Sequence, residues 1–258
     1  MRPEHLLLVF LLSTMLAPAE VASQQPQTRG RAGLSSISGH KDPLLRPSLG
    51  QYLAGWQRVF TTKANLFYLA AWGSSFLIIR PFDDDISQEL GQENDSFADL
   101  VSGFGHPIVL AGGATLTYLV GSVTKNPEVS TTGLLLLESY LTTSVVTVSL
   151  KTAVGRERPN HKNHRSFPSG HTSGAFSVAS VLDKRYGVRV GIPAYLTASL
   201  VGLSRVRLKE HFPTDVLAGA ALGVIIGRSF AADGKRDSLS VFPILHRGYI
   251  GVALGARF

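Results

Sequence analysis

Residues 204–219 read Ser204-Arg205-Val206-Arg207-Leu208-Lys209-Glu210-His211-Phe212-Pro213-Thr214-Asp215-Val216-Leu217-Ala218-Gly219. Proline costs no hydrogen bond in a first helical turn, because the N–H it lacks would have no partner there. Pro213 therefore predicts a helix that opens here and continues through the apolar run Val216 to Ile226. Residues four apart stack on one helical face, so His211 and Asp215 are expected side by side. A carboxylate that accepts one imidazole N–H leaves the other ring nitrogen with its lone pair, oriented for attack.

Two earlier stretches supply what such a nucleophile would act on. Lys151 is followed by Arg158-Pro159, and Arg205 belongs to the third stretch, so three permanent cations are available. Cations fixed around the equatorial oxygens are the main requirement for transferring a phosphoryl group. An arginine fork bonds two of those oxygens at once. Pro159 favours extended or turn backbone at Arg158, which is expected to project from a loop. Pro168-Ser169-Gly170-His171 precedes the apolar-rich run Ala175 to Leu182 and reads as a helix start, with Pro168 just inside it. The free N–H groups of such a start bind anions. Gly170 lets the backbone approach a phosphate, and Ser169 adds a hydroxyl donor. His171 would stand beside the bound group, able to protonate a departing alkoxide. His161 and His164, between the first two stretches, read as solvated loop residues.

In order and spacing, Lys151-x6-Arg158-Pro159, Pro168-Ser169-Gly170-His171 and Ser204-Arg205-x5-His211-x3-Asp215 resemble the type 2 phosphatidic acid phosphatase (PAP2) superfamily. That superfamily also contains class A acid phosphatases and vanadium haloperoxidases. The resemblance covers about residues 60–230, with no mismatch at a defining position. It implies an all-α, antiparallel PAP2-like bundle and a phosphoric monoester hydrolase. His211 would form a phosphohistidine, Asp215 would orient it, and His171 would be the general acid that later activates water. Lys151, Arg158, Ser169, Gly170 and Arg205 would bind the phosphate, and neither a metal nor a cofactor is implied. The expected substrate is a phosphate or diphosphate monoester on a lipid, of the phosphatidate, phosphatidylglycerophosphate or polyprenyl diphosphate kind. The alternatives are a soluble exported acid phosphatase of broad specificity and a vanadate-dependent haloperoxidase, whose members are usually much longer. A phospholipid-binding protein without catalysis would need only the cations, not the His211–Asp215 pair.

The rest of the chain frames this core. Its 258 residues suffice for one domain, and the absence of cysteine excludes thiol chemistry, cysteine zinc sites and disulfides. Residues 1–23 read as an export signal, with apolar Leu6 to Leu12 and small residues near Ala19 and Ser23. Without them, 24 basic side chains face 16 acidic ones. No basic-aromatic stripe suggests nucleic acid, so the positive balance fits an anionic membrane surface or substrate. Residues 24–50, rich in Gln, Gly, Ser and Pro, read as a flexible linker, and 51–230 as the phosphatase domain. Residues 81–106 carry seven acidic side chains and no Lys or Arg. The Asp83-Asp84-Asp85 run reads as a helix start rather than a cation site. Ile86, Leu90, Phe97, Leu100 and Val101 read as the stripe of an amphipathic helix. In all, about six helices are expected, their connections placing the three motif loops at one end. Leu239–Leu245 and Tyr249–Phe258 alternate as a short β-hairpin within the tail 231–258.

Leu66–Ile79, Pro107–Val123 and Thr131–Leu150 are apolar enough to enter a membrane, while Val190–Leu203 and Val216–Ile226 are short for it. Lys184, Arg185, Arg189, Arg228, Lys235 and Arg236 fall at the end away from the motifs. The positive-inside rule then turns the site away from the cytoplasm, giving a cell-envelope protein with a periplasmic-side site. A cleaved signal followed by six spans would contradict that orientation. It is consistent only if Leu66–Ile79 does not cross, or if the bundle is soluble and exported. Oligomeric state is left open.

Overall fold

The computed structural model describes residues 49–92, 95–232, 239–246 and 249–256. The expected export signal and all but the last two residues of the expected linker lie outside the described residues. Among these residues there are nine α-helices and one hairpin. The helices are α1 (Leu49–Thr61), α2 (Lys63–Ile79), α3 (Asp83–Leu90), α4 (Ser96–Gly103), α5 (Pro107–Val123), α6 (Pro127–Val154), α7 (Gly170–Tyr186), α8 (Val188–Arg207) and α9 (Pro213–Ala231). β1 (Leu239–His246) pairs antiparallel with β2 (Tyr249–Ala256), from Leu239 opposite Ala256 to His246 opposite Tyr249.

The expected all-α antiparallel bundle is present, with more helices than the expected six. Proline opens three of them, at Pro107, Pro127 and Pro213. Asn126 caps α6 by accepting the N–H groups of Glu128 and Val129, and Asp95 caps α4 by accepting that of Ala98. The acidic stretch that reads as one amphipathic helix is instead two, α3 and α4, separated at Gly91, whose extended backbone ends α3. The expected stripe divides with it. Ile86 and Val101 are buried, whereas Phe97 and Leu100 face outward.

Helix α9 is the hub. It packs on α7 above all, and on α6, α1 and α2, while α8 flanks α7 and α5 lies along α6. Val216, Leu217, Ala220, Val224, Ile225 and Ile226 are buried all around it. An all-round apolar helix belongs in a core, and its apolarity therefore marks the bundle centre as well as a candidate span. Gly219, Gly223 and Gly227 repeat on the face toward α7. A Cβ there would come within 2.6, 2.4 and 2.5 Å of the carbonyl oxygens of Ser169, Ser173 and Ser177. Any larger side chain would push the two backbones apart.

Three described stretches are long and apolar enough to cross a membrane: Ser96–Val123 (α4 and α5, with a turn between them), α6 and α9. α2, with 17 residues, is not among them. Outside the core, Leu66, Phe67 and Leu77 on α2, Leu116 and Val123 on α5, Val145 on α6 and Ile192 and Leu200 on α8 are exposed. An apolar exterior of this extent supports membrane association.

Candidate active site

All eight residues expected to form the site lie at one end of the bundle. Lys151 is in the last turn of α6 and Arg205 in the last turn of α8, where cations complement the helix dipole. Arg158 projects from the loop after α6, and its Nε donates to Asn163 Oδ1 at 3.0 Å. Ser169 is the N-cap of α7, Gly170 and His171 open that helix, and Asp215 lies in the first turn of α9. A Cβ on Gly170 would lie 3.8 Å from Lys151 Cε, so the helix start and the lysine face each other. Lys151 Nζ donates to the carbonyls of Arg165 (2.6 Å) and Ser166 (3.4 Å).

Several local expectations change. Pro168 stands one residue before the N-cap rather than inside the helix. The Ser169 hydroxyl is fully buried and shares a 2.9 Å hydrogen bond with Thr172 Oγ1, instead of standing free beside a ligand. His211 precedes α9, with Phe212 as N-cap and Pro213 as the first helical residue, so His211 and Asp215 do not share a helical face. They still meet, because the Asp215 carboxylate turns back across the helix start to accept the Phe212 N–H at 3.0 Å. His211 Nδ1 lies 3.9 Å from Asp215 Oδ2. That is longer than a hydrogen bond, and the buried Nδ1 has no other partner among the described residues.

Asp83 is neither a simple helix-start charge nor a cation ligand. Its buried carboxylate accepts the Thr214 N–H (3.0 Å), the Thr214 hydroxyl and Arg156 Nη2 (2.8 Å). Arg156 Nη1 donates to Asp215 Oδ1 at 2.7 Å and to Thr214 Oγ1 at 2.9 Å, and its guanidinium lies 4.0 Å from the centre of the Phe212 ring. Ser166 Oγ donates to Asp215 Oδ2 at 2.5 Å. Asp215 is thus gripped from three sides, which fixes its position beside His211.

Sequence reasoning missed Arg156, Asp83 and Ser166, and also Ser102, His106 and Glu210. Ser102 on α4 accepts Arg205 Nη1 at 2.6 Å. His106, at the corner before α5, sets its ring 5.9 Å from that of His171. Gly105 makes this corner possible, since a Cβ there would fall 2.5 Å from Val201 Cγ1 and 3.0 Å from His171 Cβ. Glu210 pairs with Arg158 Nη1 and lies 3.5 Å from Arg205 Nη2. Only nearness to a motif residue marks Arg156 and Glu210 in the sequence. His161 and His164 are exposed, as expected of solvated loop residues. Among the described residues, no cluster of three His, Asp or Glu side chains is placed to hold a metal.

The electrostatics favour neutral imidazoles at His211 and His171. Burial pushes His211 down to about 4; the Asp215 carboxylate opposes this, and Lys151 and Arg205 reinforce it. Burial, then the charges of Arg205, His211, His106 and Arg158, push His171 down to about 3. Below the ordinary histidine value of 6.5, the unfolded chain therefore takes up protons that the folded chain refuses. Stability is expected to fall as pH drops from 6.5 towards about 4, with His211 contributing a loss on the order of 3 kcal/mol. Melting temperature against pH for the wild type and His211→Gln checks this. The acid limb should be shallower in the variant, and parallel curves would contradict the assignment.

Residues 132–236, which span Lys151 through Asp215, match the PAP2 superfamily model. The chain is 40% identical to the lipid A 1-phosphatase of Porphyromonas gingivalis, over 30% of this chain and 18% of that protein. It is 37% identical to phosphatidylglycerophosphatase B of Bacillus subtilis, over 36% of this chain and 54% of that one. The matched regions thus span from under a fifth to about half of these relatives. Its fold is similar to the crystal structure of a transmembrane PAP2-type phosphatidylglycerolphosphate phosphatase from Bacillus subtilis. The TM-score is 0.53 and the identity 26%, covering 63% of this chain and 90% of that one. With the motif residues gathered at one end of the bundle, residues 132–236 carry the PAP2 superfamily pattern on a helical fold similar to that of a PAP2-type phosphatase.

Proposed function

We propose that residues 51–230 form a phosphatase domain that hydrolyses a phosphate or diphosphate monoester carried on a lipid. The observation that carries this reading is the buried, neutral His211 beside the anchored Asp215, at the bundle end where Lys151, Arg158 and Arg205 converge. Binding alone would call for the cations, whereas an aimed, uncharged imidazole suits attack on phosphorus. The relatives named above act on lipid-borne phosphates, and the apolar exterior suits a substrate that stays in the bilayer.

In the proposed reaction the Nε2 lone pair of His211 forms the N–P bond as the P–O ester bond breaks. His171 gives its proton to the departing oxygen. Water then attacks phosphorus and gives a proton to His171, the N–P bond breaks, and inorganic phosphate leaves. Arg158 and Arg205 would hold the equatorial oxygens, with Lys151 and the first-turn N–H groups of α7 completing the cage. Burial first, and then the charges of Arg205 and Arg158 among others, hold His171 below its ordinary value. A phosphate bound against those arginines would oppose their part of the shift and favour the protonated acid. The cations Lys184, Arg185 and Arg189 at the far end, against the acidic α3–α4 end, support a site facing away from the cytoplasm.

The test is phosphate release from phosphatidate, phosphatidylglycerophosphate, polyprenyl diphosphate and lipid A, set against a soluble aryl phosphate. Release from at least one lipid should exceed that from the aryl ester, by a protein that requires detergent for extraction. Release from the soluble ester alone, by protein recovered in the aqueous fraction, would refute the lipid reading. His171→Ala should slow esters of poor leaving groups by about 100-fold or more, and activated aryl esters much less. Equal losses across leaving groups would remove its acid role.

A further inference from the structure

Glu210 immediately precedes His211, and none of the three motif patterns includes a carboxylate there. Its Oε2 pairs with Arg158 Nη1 and stands 3.5 Å from Arg205 Nη2, while its Oε1 lies 3.4 Å from Lys162 Nζ. Glu210, Arg158 and Arg205 are mostly buried, whereas Lys162 reaches into solvent. Both guanidiniums assigned to phosphate are therefore held by one internal carboxylate.

The carboxylate does not satisfy the site. It brings one charge and two oxygens, against nearly two charges and three free oxygens on a phosphate monoester. Arg205 Nε is buried with no hydrogen-bond partner among the described residues. No side-chain cap fills the N–H groups in the first turn of α7. A phosphate can reach these donors and outbid the carboxylate, but only by displacing it.

We propose that Glu210 is a resident competitor for the phosphate subsite. It holds Arg158 and Arg205 in the empty site, yields them when a phosphate group binds, and turns onto Lys162. The inference rests on the phosphate-binding roles assigned to the two arginines under the proposed function. Its consequence is a weaker grip on both substrate and product. Inorganic phosphate would otherwise be retained among three cations after each turnover, and a carboxylate ready to reclaim the guanidiniums speeds its release.

The test is calorimetric titration of inorganic phosphate into the purified full chain in detergent, at fixed ionic strength. Glu210→Gln and Glu210→Ala are each expected to bind phosphate at least about fivefold more tightly than wild type. Lys162→Ala should weaken binding in the wild-type background, where the displaced carboxylate loses its second partner. It should have little effect in the Glu210→Gln background, since the cycle isolates their coupling. Unchanged or weaker phosphate binding in both Glu210 variants overturns the proposal, leaving the carboxylate a mere support for the arginines. If neither variant folds, Lys162→Ala decides alone, and unaltered affinity in it overturns the proposal. Binding needs no turnover, so the two readings fail separately. A chain that shows this binding pattern yet hydrolyses nothing loses the phosphatase reading. One that hydrolyses lipid phosphates without the gain in affinity loses only the competitor.

Discussion

Replacing His211 with alanine is expected to lower phosphate release by at least about four orders of magnitude, on the order of 5 kcal/mol of barrier, with the helical fold intact. The loss is this large because His171, whose ring lies 5.9 Å from that of His106, is assigned to the leaving-group side in the proposed reaction and does not replace the His211 nucleophile. Lys151 already donates to the carbonyls of Arg165 and Ser166, so it lacks the free lone pair that attack requires. The measurement is a single-turnover assay together with circular dichroism and labelling quenched in alkaline denaturant. Wild-type protein should carry an acid-labile phosphoryl group, His211→Ala should carry none, and His171→Ala should carry more at steady state with an activated ester. Hydrolysis by His211→Ala within tenfold of wild type would rule out the nucleophile and the covalent route with it.

The second large effect concerns stability rather than chemistry. Arg156→Met is expected to cost about 3–5 kcal/mol, the usual result of removing one partner from a buried ion network. The guanidinium lies between two buried carboxylates, 2.8 Å from Asp83 Oδ2 and 2.7 Å from Asp215 Oδ1. Without it, Asp215 keeps only neutral donors, Ser166 Oγ and the Phe212 N–H, while Asp83 keeps the Thr214 N–H and hydroxyl and the half-exposed Arg80 at 3.2 Å. Arg156→Lys should recover part of the loss, since one ammonium cannot span both carboxylates and Thr214 as the fork does. Adding Asp83→Asn to Arg156→Met should be less harmful than the sum of the two changes. Thermal unfolding in detergent reads the wild type and the four variants, Asp83→Asn alone included. Strictly additive losses, or an Arg156→Met melting temperature equal to wild type, would show that the network carries no such energy.

The contrast between these residues explains what could be read in advance. His211, Asp215, His171 and the assigned cations announce themselves by spacing, because each lies within a few residues of a proline or glycine that fixes local backbone. Asp83 has no such signal. It reaches Thr214 across 131 residues, and a run of three aspartates at a helix start has an adequate local explanation. Ser166, Ser102 and Glu210 act through contacts that only the packing of α4, α8 and the loop before α7 creates. Hydropathy located α5, α6 and α9 but could not tell a lipid-facing helix from a central one, since both are apolar. Phe97 and Leu100 show the same ambiguity in reverse, reading as core and pointing outward. The hairpin was legible because two-residue alternation is a local property. Its register runs from Leu239 opposite Ala256 to His246 opposite Tyr249.

The glycine face of α9 against the carbonyls of α7 has a further consequence. His171 rides on the start of one of these helices and His211 on the entrance to the other, and the Ser169 N–H donates to the Asp215 carbonyl at 2.9 Å. Main chain thus touches main chain between His211 and His171, the proposed nucleophile and acid, and their separation acts as a fixed gauge indifferent to side-chain motion. The α4–α5 corner meets that gauge from one side, with Ser102 accepting from Arg205 and the His106 ring beside that of His171, so a change of side chain there alters the surroundings of both while the α7–α9 backbone contact stays.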